Sequence, residues 1–167
     1  MKFAAALLLV CAALASQTAS SNRTSTLRAF ESKVDQQIAL ANRAKPIDLV
    51  GTTRCFYLPG IGAVLSAKVE LMRTPTINPF QSRISPQEAV EVYRTKMENL
   101  PLLRTAMKNT VMAAAKEMDF LQPADQIVFA VGLIYQPWED TKGLPSQIVM
   151  RAGRQNAMSG DIKTEEQ

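Results

Sequence analysis

Apolar residues recur every three or four positions between Ser25 and Ala44, at Leu27, Phe30, Val34, Ile38 and Ala41. This spacing gathers side chains on one face of an α-helix. Arg28, Glu31, Lys33 and Asp35 fall largely off that face, so the segment predicts an amphipathic helix covering a core. Pro46 is expected to end it, because Lys45 before a proline is pushed out of helical geometry. From Ile47 to Tyr57 the β-branched and aromatic residues predict a strand, and Leu58-Pro59-Gly60-Ile61-Gly62 carries turn chemistry. Ala63 to Met72 then alternates: Ala63, Leu65, Ala67, Val69 and Leu71 point one way, Ser66, Lys68 and Glu70 the other. The two runs predict a β-hairpin.

Arg73 to Arg83 holds two prolines and no period, and reads as a loop. Ser85-Pro86-Gln87-Glu88 is a helix start: a capping serine, a proline suited to the first helical position, and a glutamate placed to complete a capping box. The stripe Ala89, Tyr93, Met97, Leu100, Leu103, Met107, Val111, Ala114 and Met118 follows at helical spacing. Pro101 interrupts it, at a cost of about 3 kcal/mol if it stays inside a helix. The segment is therefore one kinked helix or two, with Asn99 as the cap of the second. Gln126 to Tyr135 predicts a strand with two apolar faces, central in a sheet. Gln136 to Pro145 reads as a connecting loop and Ser146 to Arg151 as the last strand.

The order predicts a single two-layer α+β domain. Its four-stranded antiparallel sheet, made of two hairpins, is covered on one face by an N-terminal helix and a long proline-interrupted one. Pro101 decides where the loops go. With one continuous helix, loops 58–62 and 136–145 lie at opposite ends of the sheet; with two antiparallel helices they gather at one end.

The N-terminus adds an address. Lys2 precedes an apolar run from Phe3 to Leu14, and Ala13-Leu14-Ala15 supplies the small-x-small pattern of a signal peptidase site. The run is shorter than the roughly 20 apolar residues that span a bilayer. The expected organisation is a signal peptide over 1–15, a flexible leader over 16–24, one domain over 25–152 and a flexible tail over 153–167. The protein is expected to be exported, to the periplasm or outside the cell. Cys11 leaves with the signal, and Val10 before it argues against lipid attachment there. Cys55 remains as a single thiol, so no internal disulfide is expected.

Composition removes several chemistries. There is no histidine, which excludes Ser-His-Asp and Cys-His nucleophile systems and the common zinc and haem sites. No phosphate-binding glycine loop or calcium-binding acidic loop is present. Cofactors, metal ligands and catalytic residues are therefore not assigned. Cleavage after Ala15 removes one of the 19 basic residues, leaving 18 against 15 acidic. This mild, dispersed positive charge gives little support to nucleic-acid binding and allows weak attraction to anionic surfaces.

Two loops carry the candidate ligand-binding residues. Trp138, Glu139 and Asp140 place the only tryptophan beside two carboxylates, a combination that holds sugar rings or cations. The plain alternative is a hairpin loop with Trp138 capping the core. Tyr57 and Gly60 lie in the other loop, where glycines let backbone amides approach a ligand. Glu70, Glu88, Glu139 and Asp140 are the acids a metal-independent hydrolase would draw on, although nothing in their spacing selects a pair.

Arg54-Cys55-Phe56-Tyr57-Leu58-Pro59-Gly60-Ile61-Gly62-Ala63-Val64-Leu65 and the segment from Trp138 to Met150 resemble a hairpin and a tail segment of exported bacterial, acidobacterial-type proteins of unknown function. The similarity covers roughly residues 27 to 152 and implies a bacterial, exported origin; it brings no activity and no site. The leading expectation is a non-enzymatic envelope protein that binds a partner or small ligand through sheet-end loops. A carboxylate hydrolase is the alternative. A structural role as a homodimer through an exposed sheet edge is the third reading. No membrane span is expected after signal cleavage.

Overall fold

In the computed structural model, residues 22–74 and 84–167 are described. The signal-peptide and lipid-attachment expectations, and most of the loop expected over Arg73 to Arg83, lie outside them. Helix α1 covers 22–39, so residues 22–24 are helical and not part of a leader. It buries Phe30, Val34 and Ile38. It ends well before Pro46, where the Asn42 side-chain oxygen accepts the amides of Ala44 and Lys45, each at 3.1 Å. An asparagine bonding its own following backbone offers the chain a turn in place of another helical one.

The expected first strand is split into β1 (Asp48–Leu49) and β2 (Arg54–Leu58). Both pair antiparallel with the same edge of β3 (Gly62–Glu70). Helix α2 (Pro86–Glu117) follows, with the Ser85–Glu88 capping box formed at its start. It stays one helix through Pro101, which lies exposed; the Met97 carbonyl that loses its amide partner there can be hydrated instead. β4 (Gln126–Leu133) then pairs parallel with β3, and β5 (Gln147–Gly153) antiparallel with β4. Short helix α3 (Arg154–Ser159) and strand β6 (Lys163–Glu166) complete the chain, β6 antiparallel to β5.

The α+β class is as expected, with helices packed on one sheet face, but the sheet is six-stranded and mixed. Both expected hairpin pairings form, β2–β3 and β4–β5. They are joined through a parallel β3–β4 contact because one unbroken helix carries the chain back to the end where β3 began. Residues 153–167 are structured, not a frayed tail. Glu166 accepts both hydrogen bonds from the Arg104 guanidinium at 2.7 Å, and Arg154 donates to the Ala115 carbonyl in the last turn of α2 and to the Leu121 carbonyl just beyond it.

The core lies between the helices and the inner sheet face, built from Leu65, Val69, Ile127, Phe129, Val131 and Ile148 against Leu103, Met107, Val111 and Met118. Both sheet edges are guarded. The amides of Thr53 and Cys55 are bonded by the carboxylates of Asp35 and Glu31 on α1, at 2.9 and 2.7 Å. β6 is short, polar and exposed throughout, a composition that discourages addition of another strand.

Candidate functional site

With 32 residues α2 is about 48 Å long, against about 27 Å for the eight residues of β4. Its N-terminal third therefore reaches past the sheet and is clothed by loops. The buried positions there are Val92, Thr95, Lys96 and Asn99, not the expected Ala89, Tyr93 and Met97; Met97 is exposed while Met107 and Met118 are in the core. Asn99, instead of capping a second helix, donates to the Lys45 and Leu71 carbonyls at 2.9 and 2.6 Å and accepts from Asn42 at 2.6 Å.

The loop after β4 closes over this part of α2. Lys96 donates to the Glu139 carboxylate, and the two side chains are only 1% and 2% exposed. The second Glu139 oxygen accepts the Gln136 amide at 3.0 Å, and the Lys96 ammonium lies 5.2 Å from the Tyr135 ring centroid. Tyr135 donates to the Pro145 carbonyl at 2.7 Å and Tyr93 to the Lys142 carbonyl at 2.9 Å. Burial, helped by the Glu139 charge, raises the Tyr135 phenol to about 12. Asp140 is exposed and accepts the Lys142 amide at 2.9 Å. Trp138 is half-buried in the turn. Of the three candidates on this loop, Glu139 is committed inside the protein and Asp140 shapes its own turn.

The opposite end of the sheet is arranged differently. Gly62 pairs with Gln126 across β3 and β4, so the 58–62 turn lies at the end where β4 begins. This turn is far along the strands from the 134–146 loop, and the two do not form a joint site. Gly60 has φ +79° with open space around it, whereas a side chain on Gly62 would strike the Gln126 backbone. The close approach that glycine permits here is between two strands.

Tyr57 points to the helix side and meets Phe120 edge to face, centroids 5.5 Å apart at 88°. The Arg23 guanidinium lies over both rings, 4.6 Å from the Tyr57 centroid and 5.4 Å from that of Phe120. Its Nε is buried without a hydrogen-bond partner, and no carboxylate among the described residues pairs with it. Beside it opens a cleft of about 340 Å³ lined by Asn22, Arg23, Thr26, Glu117, Asp119 and Phe120. Glu117 is already bonded by Lys33; Asp119 is exposed.

Glu88 is held below the usual carboxylate range by the Ser85 amide and hydroxyl. Glu70 ends β3 half-buried. Cys55 is buried, and burial together with the Glu31 charge pushes its thiol up to about 12, which makes it a poor nucleophile. Among the described residues no cluster of His, Cys, Asp and Glu suits a metal ion.

Three residues at these two ends escaped the sequence reading. Arg23 and Phe120 gave no signal, one in a polar stretch and the other beyond a helix end. Lys96 did: it stands four residues from both Val92 and Leu100, so it falls on their buried face. Comparison with family models, with curated proteins and with solved structures finds no match.

Proposed function

We propose that this is an exported, non-enzymatic protein of the bacterial envelope that binds a small ligand bearing a carboxylate or similar anionic group at the sheet end where Tyr57 lies. The observation that carries the reading is the Arg23 guanidinium, stacked on Tyr57 and Phe120 and lining an open cleft, with no carboxylate on it among the described residues. A stacked guanidinium keeps its in-plane donors free and is preorganised for a planar anion. Asp119 across the cleft suits a hydroxyl or amine on the same ligand, a pattern found in peptidoglycan peptides and acidic sugars. The hydrolase reading has weaker support, because Glu88 and Glu139 already serve the helix cap and the buried ion pair.

The test is calorimetric titration of the chain with peptidoglycan fragments, acidic and neutral oligosaccharides and divalent cations. Saturable binding of one anionic class, weakened tenfold or more in Arg23→Gln, is the expected result, since hydrogen bonds to a charged group are worth about 1.5–3 kcal/mol. Binding that Arg23→Gln leaves unchanged, or no binding of any class, overturns the assignment.

A further inference from the structure

No helix among the described residues covers the sheet face away from the core, and its β2 side is rich in exposed apolar residues. Arg54, Phe56 and Leu58 alternate onto it from β2, and their partners across the ladder are Ser66, Val64 and Gly62. Lys68 continues the β3 row, and Val50 donates its amide to the Lys68 carbonyl. Val50, Phe56, Leu58 and Ile61 are between 42% and 53% exposed. These four large apolar side chains make an elongated patch along the β2 edge, with Val50 beside Lys68 at one end and Leu58 beside Gly62 at the other.

Two cations stand inside this patch. Arg54 and Lys68 are exposed, and neither side chain has an ion-pair or hydrogen-bond partner among the described residues. Between them runs a groove of about 360 Å³ lined by Val50, Thr52, Arg54, Ser66 and Lys68. Two free cations and two hydroxyls around a groove suit a phosphate, and the flanking apolar side chains suit the acyl boundary beneath it. We infer that this face of the β2–β3 hairpin docks on an anionic phospholipid surface.

Charge and edge chemistry favour that occupant over a second copy of the chain. A twofold contact centred on the patch would bring Arg54 and Lys68 against their own copies. Edge-to-edge pairing through β2 is met by the Glu31 and Asp35 carboxylates on its outward amides. Without Lys2 the chain still holds 18 basic against 15 acidic residues, a mild positive charge that adds to the attraction of negative membranes. Apolar side chains that enter the headgroup boundary together with basic neighbours give reversible, salt-sensitive binding, distinct from a transmembrane anchor. The inference is independent of the Arg23 cleft, which opens on the helix side of the sheet.

A reporter inside the patch separates this contact from any made by the apolar N-terminal run. Trp138→Phe combined with Phe56→Trp in the full chain leaves one tryptophan, on the proposed contact face. It is mixed with vesicles of phosphatidylcholine alone, or of phosphatidylcholine with phosphatidylglycerol, each with and without brominated acyl chains. The expected result is a blue shift and bromine quenching on the anionic vesicles only, reversed by high salt. Arg54→Glu with Lys68→Glu should lower the partition at least tenfold while the circular dichroism stays unchanged; Arg54→Gln with Lys68→Gln should lower it less and serves if the double reversal does not fold. An emission that ignores anionic vesicles, an equal response to phosphatidylcholine alone, or indifference to both charge variants overturns the inference. So does inorganic phosphate binding without any vesicle response, which would make the groove a free-anion site. A concentration-dependent blue shift without lipid would assign the face to a second copy instead.

Discussion

Where β4 leaves the sheet, a lysine and a glutamate meet out of water, with a tyrosine ring over the ammonium and a backbone amide on the second carboxylate oxygen. Where β4 enters it, an arginine lies across two aromatic rings with no carboxylate on it among the described residues and a cleft beside it. Both ends combine a cation with aromatic rings, yet only one cation is used up. The closed end holds a loop against the overhanging third of α2. The open end leaves the Arg23 guanidinium without a carboxylate among the described residues, and the proposed binding site rests on that difference.

The comparison breaks most visibly at the closed end. Removing one partner of a buried ion pair leaves the other charge stranded, at about 3–5 kcal/mol. Glu139→Gln and Lys96→Ala are each expected to lower the unfolding free energy by an amount in that range, read from urea unfolding curves. Replacing both with apolar residues of similar size, Lys96→Met with Glu139→Leu, should recover much of the loss, because the desolvation of both charges is removed together. Single variants that stay within about 1 kcal/mol of the parent, against that expectation, would mean that water reaches the pair and that this end is not closed.

Alkaline pH sharpens the same contrast. Tyr135 at the closed end and Cys55 under α1 both have their ionisation raised to about 12 in the folded protein. The unfolded chain releases these protons earlier, the thiol near 9 and the phenol near 10, so it binds fewer protons than the native state above those values. Their contribution is fully present below pH 9 and is lost as pH rises towards 12. One such proton gives a slope of about 1.4 kcal/mol per pH unit at most. Urea midpoints between pH 8 and 11 should fall less steeply in Cys55→Ala and in Tyr135→Phe than in the parent. Slopes that match the parent in both variants would show that neither group stays protonated in the fold. Cys55 should also resist thiol reagents until the protein unfolds.

Sequence patterning reached the elements whose burial is one-sided and apolar: the β3 alternation, the Ser85–Glu88 cap and the Leu100 to Met118 stripe all lie where it placed them. It failed where buried positions are polar. Thr95, Lys96 and Asn99 occupy the inner face of the early turns of α2, so a search for apolar residues followed Ala89, Tyr93 and Met97 around the wrong side. It failed again at β6, since Lys163-Thr164-Glu165-Glu166 buries no side chain and is held by ladder bonds and Arg104. The parallel β3–β4 pairing turned on whether Pro101 breaks α2, which local propensity does not decide. Of the candidate ligand residues, Tyr57 stands in the aromatic pair at the open end, but the charge above it comes from Arg23, thirty-four positions earlier, and no local pattern joins the two.

At the open end the expected stability changes are smaller. A partly exposed cation–π contact is worth about 0.5–1 kcal/mol, so Arg23→Gln should shift the urea midpoint slightly while weakening the anionic ligand tenfold or more. A loss as large as that of Glu139→Gln would make Arg23 a structural residue like Lys96, and the two ends would cease to differ.

The smallest effect is expected one residue from the largest. Asp140 accepts the Lys142 amide through a single exposed oxygen, and the carbonyl of an asparagine accepts the same hydrogen bond in the same turn. Asp140→Asn should therefore stay within about 0.5 kcal/mol of the parent, while Glu139→Gln strands a buried lysine. The pair of variants tests the loop without any knowledge of its ligand. Both replace a carboxylate by its amide, so they differ only in what stands opposite. Equal and small effects would place Glu139 in solvent beside Asp140, returning the Trp138 loop to the list of open sites. Equal and large effects would mean that Asp140 holds a partner other than its own turn. The expected asymmetry leaves the Arg23 cleft as the end of the sheet with charge to spare.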